Sequence, residues 1–204
     1  MFIKYELSEE QKELVDLVKR ICDEKIKDRV RELDEKGEFP WDIIKELARA
    51  DLFRIFIPEE YDGLSMGTFE LCLVVEELSK VEPGIATTYA ANALASTPII
   101  LFGTEEQKKK YLSQIASGEK LLAFALTEPE AGSDVSGIKT KAEKHGDFYV
   151  LNGVKQWVTN GGEADIYVVF ALTSPEKGAR GMLSLIHISE PTRPRLISYA
   201  VFCL

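Results

Sequence analysis

The chain has 204 residues, 45% of them hydrophobic and 29% charged, with 14 glycines and 8 prolines. That balance is globular and excludes collagenous, low-complexity and disordered classes. The net charge of −9 opposes the clustered lysines and arginines of a nucleic-acid footprint, though backbone amides could still hold an anionic ligand. No apolar run reaches the roughly 18 residues of a membrane span, and Met1 to Glu6 lack the layout of a secretory signal. The three cysteines, Cys22, Cys72 and Cys203, have neither metal-ligand spacing nor even pairing. A cytoplasmic protein with no membrane or nucleic-acid partner is expected.

The first elements read as helices. Ser8-Glu9-Glu10-Gln11 is a capping box, and Leu14, Leu17, Val18, Ile21, Cys22, Ile26, Val30 and Leu33 follow as one apolar stripe at helical spacing. A second helix starts at Pro40 and carries Ile43, Ile44, Leu47 and Ala48. Pro58 and Asp62-Gly63 mark a loop. Thr68 then caps a helix with Leu71, Cys72, Val74, Val75 and Leu78 inward. Glu82-Pro83-Gly84 breaks the chain before a small-sided, buried helix over Ile85 to Ala95. Thr104-Glu105-Glu106-Gln107 is a second capping box, and its helix stops at Ser117-Gly118.

The period then changes to that of strands. Leu121–Leu126, Phe148–Leu151 and Asp165–Leu172 are strand candidates, and Asn152-Gly153 reads as a hairpin turn leading into Val154–Val158. His145, beside Gly146-Asp147, reads as a surface residue in a hairpin. A helical domain over 1–120 therefore precedes a β domain over 121–182.

Residues 183–204 stand apart. Leu183 to Arg193 and Ile197 to Leu204 resemble, in a single reading frame, translated sequencing-adapter sequence, with Pro194-Arg195-Leu196 as an index-sized gap. The expectation is a non-native tail, to be set aside from fold reasoning. The natural chain is then expected to be cut short near Met182, and His187 and Cys203 to carry no chemistry. The opposing reading is a genuine strand pair, Leu183–Ser189 and Leu196–Leu204, around a Pro-rich turn.

Two segments could carry chemistry. Thr127-Glu128-Pro129-Glu130-Ala131-Gly132-Ser133-Asp134 directly follows the first strand. Its amides and hydroxyls could hold a flavin ring edge or a phosphate, or the loop could be only a turn. In Gln156-Trp157-Val158-Thr159-Asn160-Gly161-Gly162, Trp157 offers an aromatic face and Thr159 a hydroxyl on the same side of a strand. The plainer alternative is a core tryptophan at a strand end.

Together these segments resemble the acyl-CoA dehydrogenase family, as do Gly103 to Lys108, Gly118-Glu119-Lys120, Leu151-Asn152-Gly153 with Lys155, and Pro58 to Gly63. Glu130, where relatives often carry a small residue, and Val158, where isoleucine is frequent, depart from the pattern. The resemblance implies an α+β multidomain fold: an N-terminal all-α bundle, then a truncated β-barrel or sandwich-like middle domain. It implies FAD lined by Phe124, Ala125, Leu126, Thr127, Gly132, Ser133, Trp157, Val158 and Thr159, with Ser133 also at the substrate thioester. The implied reaction is α,β-dehydrogenation of an acyl-CoA, with electrons passed to an electron-transfer flavoprotein, in a homotetramer. The catalytic base is expected in a C-terminal domain outside this chain, which by itself is expected to be inactive. Glu128 and Asp134 are expected to fix the loop. An acyl-CoA oxidase or flavin monooxygenase relative, or a non-catalytic helical interaction fragment, are the alternatives.

Overall fold

The computed structural model describes residues 6–188. The chain divides into two compact units, one comprising 1–90 with 116–118 and the other 91–115 with 119 onward. In the first unit, helix α1 (Glu9–Ile21) begins as its sequence requires. The Ser8 hydroxyl accepts from the Gln11 N–H, and Gln11 Oε1 accepts from the Ser8 N–H, satisfying two donors that a helix start leaves open. Leu14, Val15 and Val18 are buried.

The long stripe does not form one continuous α-helix. Cys22–Ile26 is a π turn, Lys27–Arg29 a 3-10 turn, and only then does α2 (Val30–Lys36) resume. The wider turn keeps Val18, Cys22 and Ile26, spaced four apart, all buried. Gly37 ends α2 in the left-handed region at φ 61°, as helix C-termini commonly do. Helix α3 (Trp41–Arg49) takes Pro40 as its cap and buries Ile43, Ile44 and Leu47.

Helix α4 (Thr68–Val81) is capped by Gly67, with Thr68 already inside the first turn. Cys72, read from the sequence as inward, is exposed, whereas Val74, Glu77 and Leu78 are buried. The Glu77 carboxylate tolerates this because it accepts from Lys80 Nζ at 2.7 Å. Tyr89 lies fully buried against Phe53 and Phe56 and donates its hydroxyl to the Leu52 carbonyl.

Helix α5 (Pro83–Phe102) runs through Pro98 to Phe102, well past the expected end at Ala95. Its 20 residues are apolar enough on average to cross a membrane by length and composition, yet over half of its most apolar window is buried inside the protein. It carries the buried polar side chains Thr88, Asn92 and Ser96, while Leu94, Leu101 and Phe102 are exposed.

In the second unit, α6 (Glu105–Ala116) opens on the expected Thr104–Gln107 capping box. A five-stranded mixed sheet follows: β1 (Leu122–Ala125), β2 (Lys141–His145), β3 (Phe148–Asn152), β4 (Ile166–Leu172) and β5 (Met182–Ile188). Strand β4 is the hub. It pairs in parallel with β1 and, at Leu172, with β2, and antiparallel with β5. Strands β2 and β3 form an antiparallel hairpin across Gly146, and His145 is exposed there.

The Asn152-Gly153 hairpin read from the sequence is not formed. The strand that pairs with β3 is β2, and Val154–Val158 is irregular. Gly153 is required for another reason, since a Cβ there would lie 2.3 Å from Thr140 Oγ1. The first residues of the adapter-like segment, 183–188, lie within β5 and pair with β4, with Leu185 buried. The rest of that segment, 189–204, lies outside the described residues.

The start of β1 is held by side chains. Asn92 Oδ1 accepts from the Leu122 N–H at 2.8 Å, and Asn160 Nδ2 donates to the Leu122 carbonyl at 2.9 Å. Asp165 accepts from both the Leu121 N–H and Lys120 Nζ.

Two glycines differ in why they are needed. Gly118 has φ 70°, and a Cβ would meet Ala48 Cβ at 2.3 Å, whereas around Gly37 the space is open. We expect G37A to cost about 1 kcal/mol for the left-handed backbone. For G118A the expected cost is about 3 kcal/mol, because overpacking adds to strain. Urea midpoints at constant slope measure both, and equal losses would show that packing at Gly118 contributes nothing.

Candidate functional site

The chain leaves β1 at Ala125 and enters the loop Thr127–Asp134. Glu128 and Ala131 exchange backbone hydrogen bonds of 3.0 and 3.1 Å across Pro129-Glu130, closing a tight turn. Asp134 Oδ1 accepts from the Ser136 N–H and hydroxyl, and these bonds lower its pKa. The loop is thereby fixed at both ends by the two acids expected to fix it.

Glu128 is the centre of the arrangement. Its side chain is 6% exposed, and a carboxylate so placed needs donors. Oε1 accepts from Lys155 Nζ at 2.8 Å and the Thr140 N–H at 3.0 Å, and Oε2 accepts from the Lys139 N–H at 2.7 Å. Burial pushes its pKa up. The bonds from Lys155, Thr140 and Lys139 outweigh that and bring it down to about 2. For Lys155, burial pulls the ammonium pKa down, and Glu128 opposes the fall.

Lys155 also donates to the Leu126 carbonyl at 2.9 Å, and the Gln156 N–H donates to the Thr127 carbonyl at 2.8 Å. These bonds bring together the two segments that the sequence singles out. Phe124 is half-buried with its ring 5.0 Å from that of Phe170. Ala125 is buried, Leu126 and Thr127 are half-buried at the strand end, and Gly132 and Ser133 are exposed. Val158 and Thr159 are half-buried.

Trp157 is neither on a strand nor in the core. It is 81% exposed with φ 57°. The alternation that would put Trp157 and Thr159 on one side of a strand therefore does not apply, because the backbone is left-handed between Gln156 and Val158. A non-glycine residue held there is a strained feature kept by its surroundings. Asn160, also left-handed at φ 64°, is buried, and its carbonyl accepts from the Glu163 and Ala164 N–H groups.

Sequence reasoning gives no role in the site to Lys155, Gln156, Thr140 or Asn160. The signal for Lys155 is a basic residue two positions before an aromatic one, opposite an acidic loop. Its partner is 27 residues away, and spacing alone does not pair them.

The donor set suits a flavin. A flat indole face stands open to solvent beside a strand end that carries the Thr127 hydroxyl, with the Ser133 and Thr159 hydroxyls on the two adjoining segments. A Cβ on Gly132 would meet nothing within 4 Å. Among the described residues no group of three or more His, Cys, Asp or Glu could hold a metal ion.

The chain thus places a helical region before a mixed sheet, with an aromatic and hydroxyl-bearing candidate site beyond the end of β1. The family model described as "Acyl-CoA dehydrogenase, N-terminal domain" matches residues 8–119, and that described as "Acyl-CoA dehydrogenase, middle domain" matches 123–194. The chain belongs to the acyl-CoA dehydrogenase family.

It is 40% identical over 173 residues to a probable medium-chain specific acyl-CoA dehydrogenase 2 of Caenorhabditis briggsae, covering 85% of this chain and 42% of the relative. Butyryl-CoA dehydrogenase from Megasphaera elsdenii superposes with TM-score 0.87 at 38% identity, over 93% of this chain and 51% of that one. A chain from a structure described as "Electron transferring flavoprotein of Acidaminococcus fermentans: Towards a mechanism of flavin-based electron bifurcation" gives 0.88 at 41%, over 92% and 50%. An acyl-CoA dehydrogenase complexed with FAD from Bacillus anthracis gives 0.83 at 33%, over 98% and 37%. The chain thus spans about half the length, or less, of these relatives.

Because the folded Glu128 carboxyl lies below its ordinary value of 4.5, the stability it lends is complete above about pH 4.5. It is lost as pH falls toward about 2. The contribution is on the order of 3 kcal/mol. E128Q, which strands a buried ammonium, is expected to lose about as much at pH 7 and to flatten the acid limb of stability against pH. An unchanged acid limb would remove Glu128 from this role.

Proposed function

We propose that this chain forms part of an FAD-dependent acyl-CoA dehydrogenase that introduces the α,β double bond of an acyl-CoA thioester. The observation that carries the reading is the junction of the Thr127–Asp134 loop with the exposed Trp157 segment through Lys155 and Gln156. Bound FAD would supply the two-electron acceptor for the β-hydrogen.

This chain's own residues would bind and orient. Phe124 to Thr127, with Gly132 and Ser133, would line the flavin, with the Leu126 and Thr127 N–H groups as donors to its polar edge. Trp157 and Val158 would lie against it, and Thr159 would approach its reactive nitrogen. Ser133 would also meet the thioester end of the substrate.

Removing the α-proton needs a carboxylate base and a polarised thioester. Glu128 is unsuited to that role, because its oxygens already face Lys155, Thr140 and Lys139 and its pKa is about 2. The base would belong to a part of the enzyme outside this chain. Electrons would leave through an electron-transfer flavoprotein, and the parent enzyme would be a homotetramer.

Titrating the chain with FAD, followed by flavin fluorescence anisotropy, tests the reading. W157A is expected to raise the FAD Kd about tenfold, the range of one lost stacking contact. S133A is expected to raise the FAD Kd by less than W157A does and to weaken acyl-CoA binding as well. A chain that binds neither FAD nor CoA overturns the proposal in favour of an interaction module.

A further inference from the structure

The Lys155–Glu128 pair belongs to neither group of residues expected to touch the flavin, yet it joins them. Lys155 Nζ sits between the Leu126 carbonyl at 2.9 Å and Glu128 Oε1 at 2.8 Å, with its side chain 11% exposed. A pair this buried is weak evidence of stabilisation, because desolvation offsets much of the Coulomb gain. What it does supply is direction.

In a planar trans peptide the C=O and N–H of one amide point in opposite senses. By holding the Leu126 carbonyl, Lys155 turns the Thr127 N–H of that same peptide to the other side. The next peptide is already fixed, since the Thr127 carbonyl accepts from the Gln156 N–H and the Glu128 N–H donates to the Ala131 carbonyl. The Leu126–Thr127 amide is therefore set by a side chain, and that side chain stands two residues before Trp157. A cation on the carbonyl also polarises the amide and makes its N–H a stronger donor.

We propose that Lys155 is a positioning residue, which aims and polarises the Thr127 N–H toward a bound flavin edge, and that Glu128 holds Lys155 in place. The inference rests on the FAD reading above and adds an assignment of its own. Lys155 touches no substrate or cofactor and acts through the Leu126–Thr127 peptide. One side chain thereby couples the angle of the amide donor to the position of the Trp157 segment.

The single variants E128Q and K155M each strand a buried charge and risk unfolding, so the deciding variant is the double E128Q/K155M. It removes both charges, and buried pairs replaced together often leave stability nearly unchanged. The side-chain amide that E128Q introduces has one oxygen, which serves one of the Thr140 and Lys139 N–H groups and leaves the other without an acceptor, while the Leu126 carbonyl loses its cation. The full chain, wild type and double variant, is titrated with FAD, and the absorbance spectrum of the bound flavin is recorded at saturation. G118A serves as a control that loses stability through a clash with Ala48, with no change to the Lys155–Glu128 pair.

The expected result is a double variant that stays folded with a urea midpoint no lower than that of G118A, an FAD Kd raised at least tenfold, and a bound-flavin band shifted toward that of free FAD. G118A is expected to show the wild-type band once saturated. In K155R, which retains the cation, the band is expected to return toward wild type. A folded double variant with wild-type Kd and spectrum overturns the positioning role and leaves the FAD reading standing. A double variant that unfolds while K155R keeps wild-type stability but lacks the wild-type band also overturns it, since the pair is then structural only. Absence of FAD binding by the folded wild type removes both readings together.

Discussion

A carboxylate withdrawn from water has to be met by donors, and Glu128 collects them from three directions. Two are backbone N–H groups from the approach to β2, and the third is the ammonium of Lys155. Satisfying that one buried charge joins three pieces of chain that are far apart in sequence: the end of β1, the approach to β2 and the segment before Trp157. The rest of the site depends on it. The loop after β1 is closed by its own short turn, but where that loop lies against the Trp157 segment is decided by Lys155 and Gln156. The left-handed backbone at Trp157 directly follows Lys155 and Gln156, which are both bonded to the chain after β1.

The same requirement, that no buried polar group be left alone, recurs at the other end of β1. The two backbone groups of Leu122 are met by two side-chain amides, Asn92 from α5 and Asn160 from beyond the Trp157 segment. Strand β1 is thus fixed at its start by amides and at its end by an ion pair, with parallel pairing to β4 between. Asn160 and Lys155 flank Trp157 on either side and both reach β1 or its extension. The aromatic residue is exposed because the chain on both sides of it is anchored inward.

Legibility in the sequence follows the range of the interaction responsible. Both capping boxes, at Ser8 and at Thr104, are readable because a cap is closed within three residues. The hairpin across Gly146 and the buried faces of α1 and α3 are readable for the same reason, since period and turn chemistry are local. The π turn at Cys22–Ile26 is not, because a stripe spaced four apart fits an α-helix and a locally widened one equally well. The Asn152-Gly153 signal misleads: local turn propensity favours a hairpin, but β3 already has its partner in β2. Gly153 owes its identity to the close approach of Thr140. Cys72 reads as inward because it is small and apolar, while Glu77, which is buried, needs Lys80 to become so.

The sequence by itself determined the helical elements and strands β1, β3 and β4, the two segments of the candidate site, and through their residues the family resemblance, since all of these reside in local pattern. Tertiary structure alone decided that Trp157 faces solvent, that Thr159 does not share a strand face with it, and that Lys155 clasps Glu128 across 27 residues. A charge pair and a peptide's orientation depend on distances in space, and no spacing along the chain encodes which distant carboxylate will be buried beside which lysine.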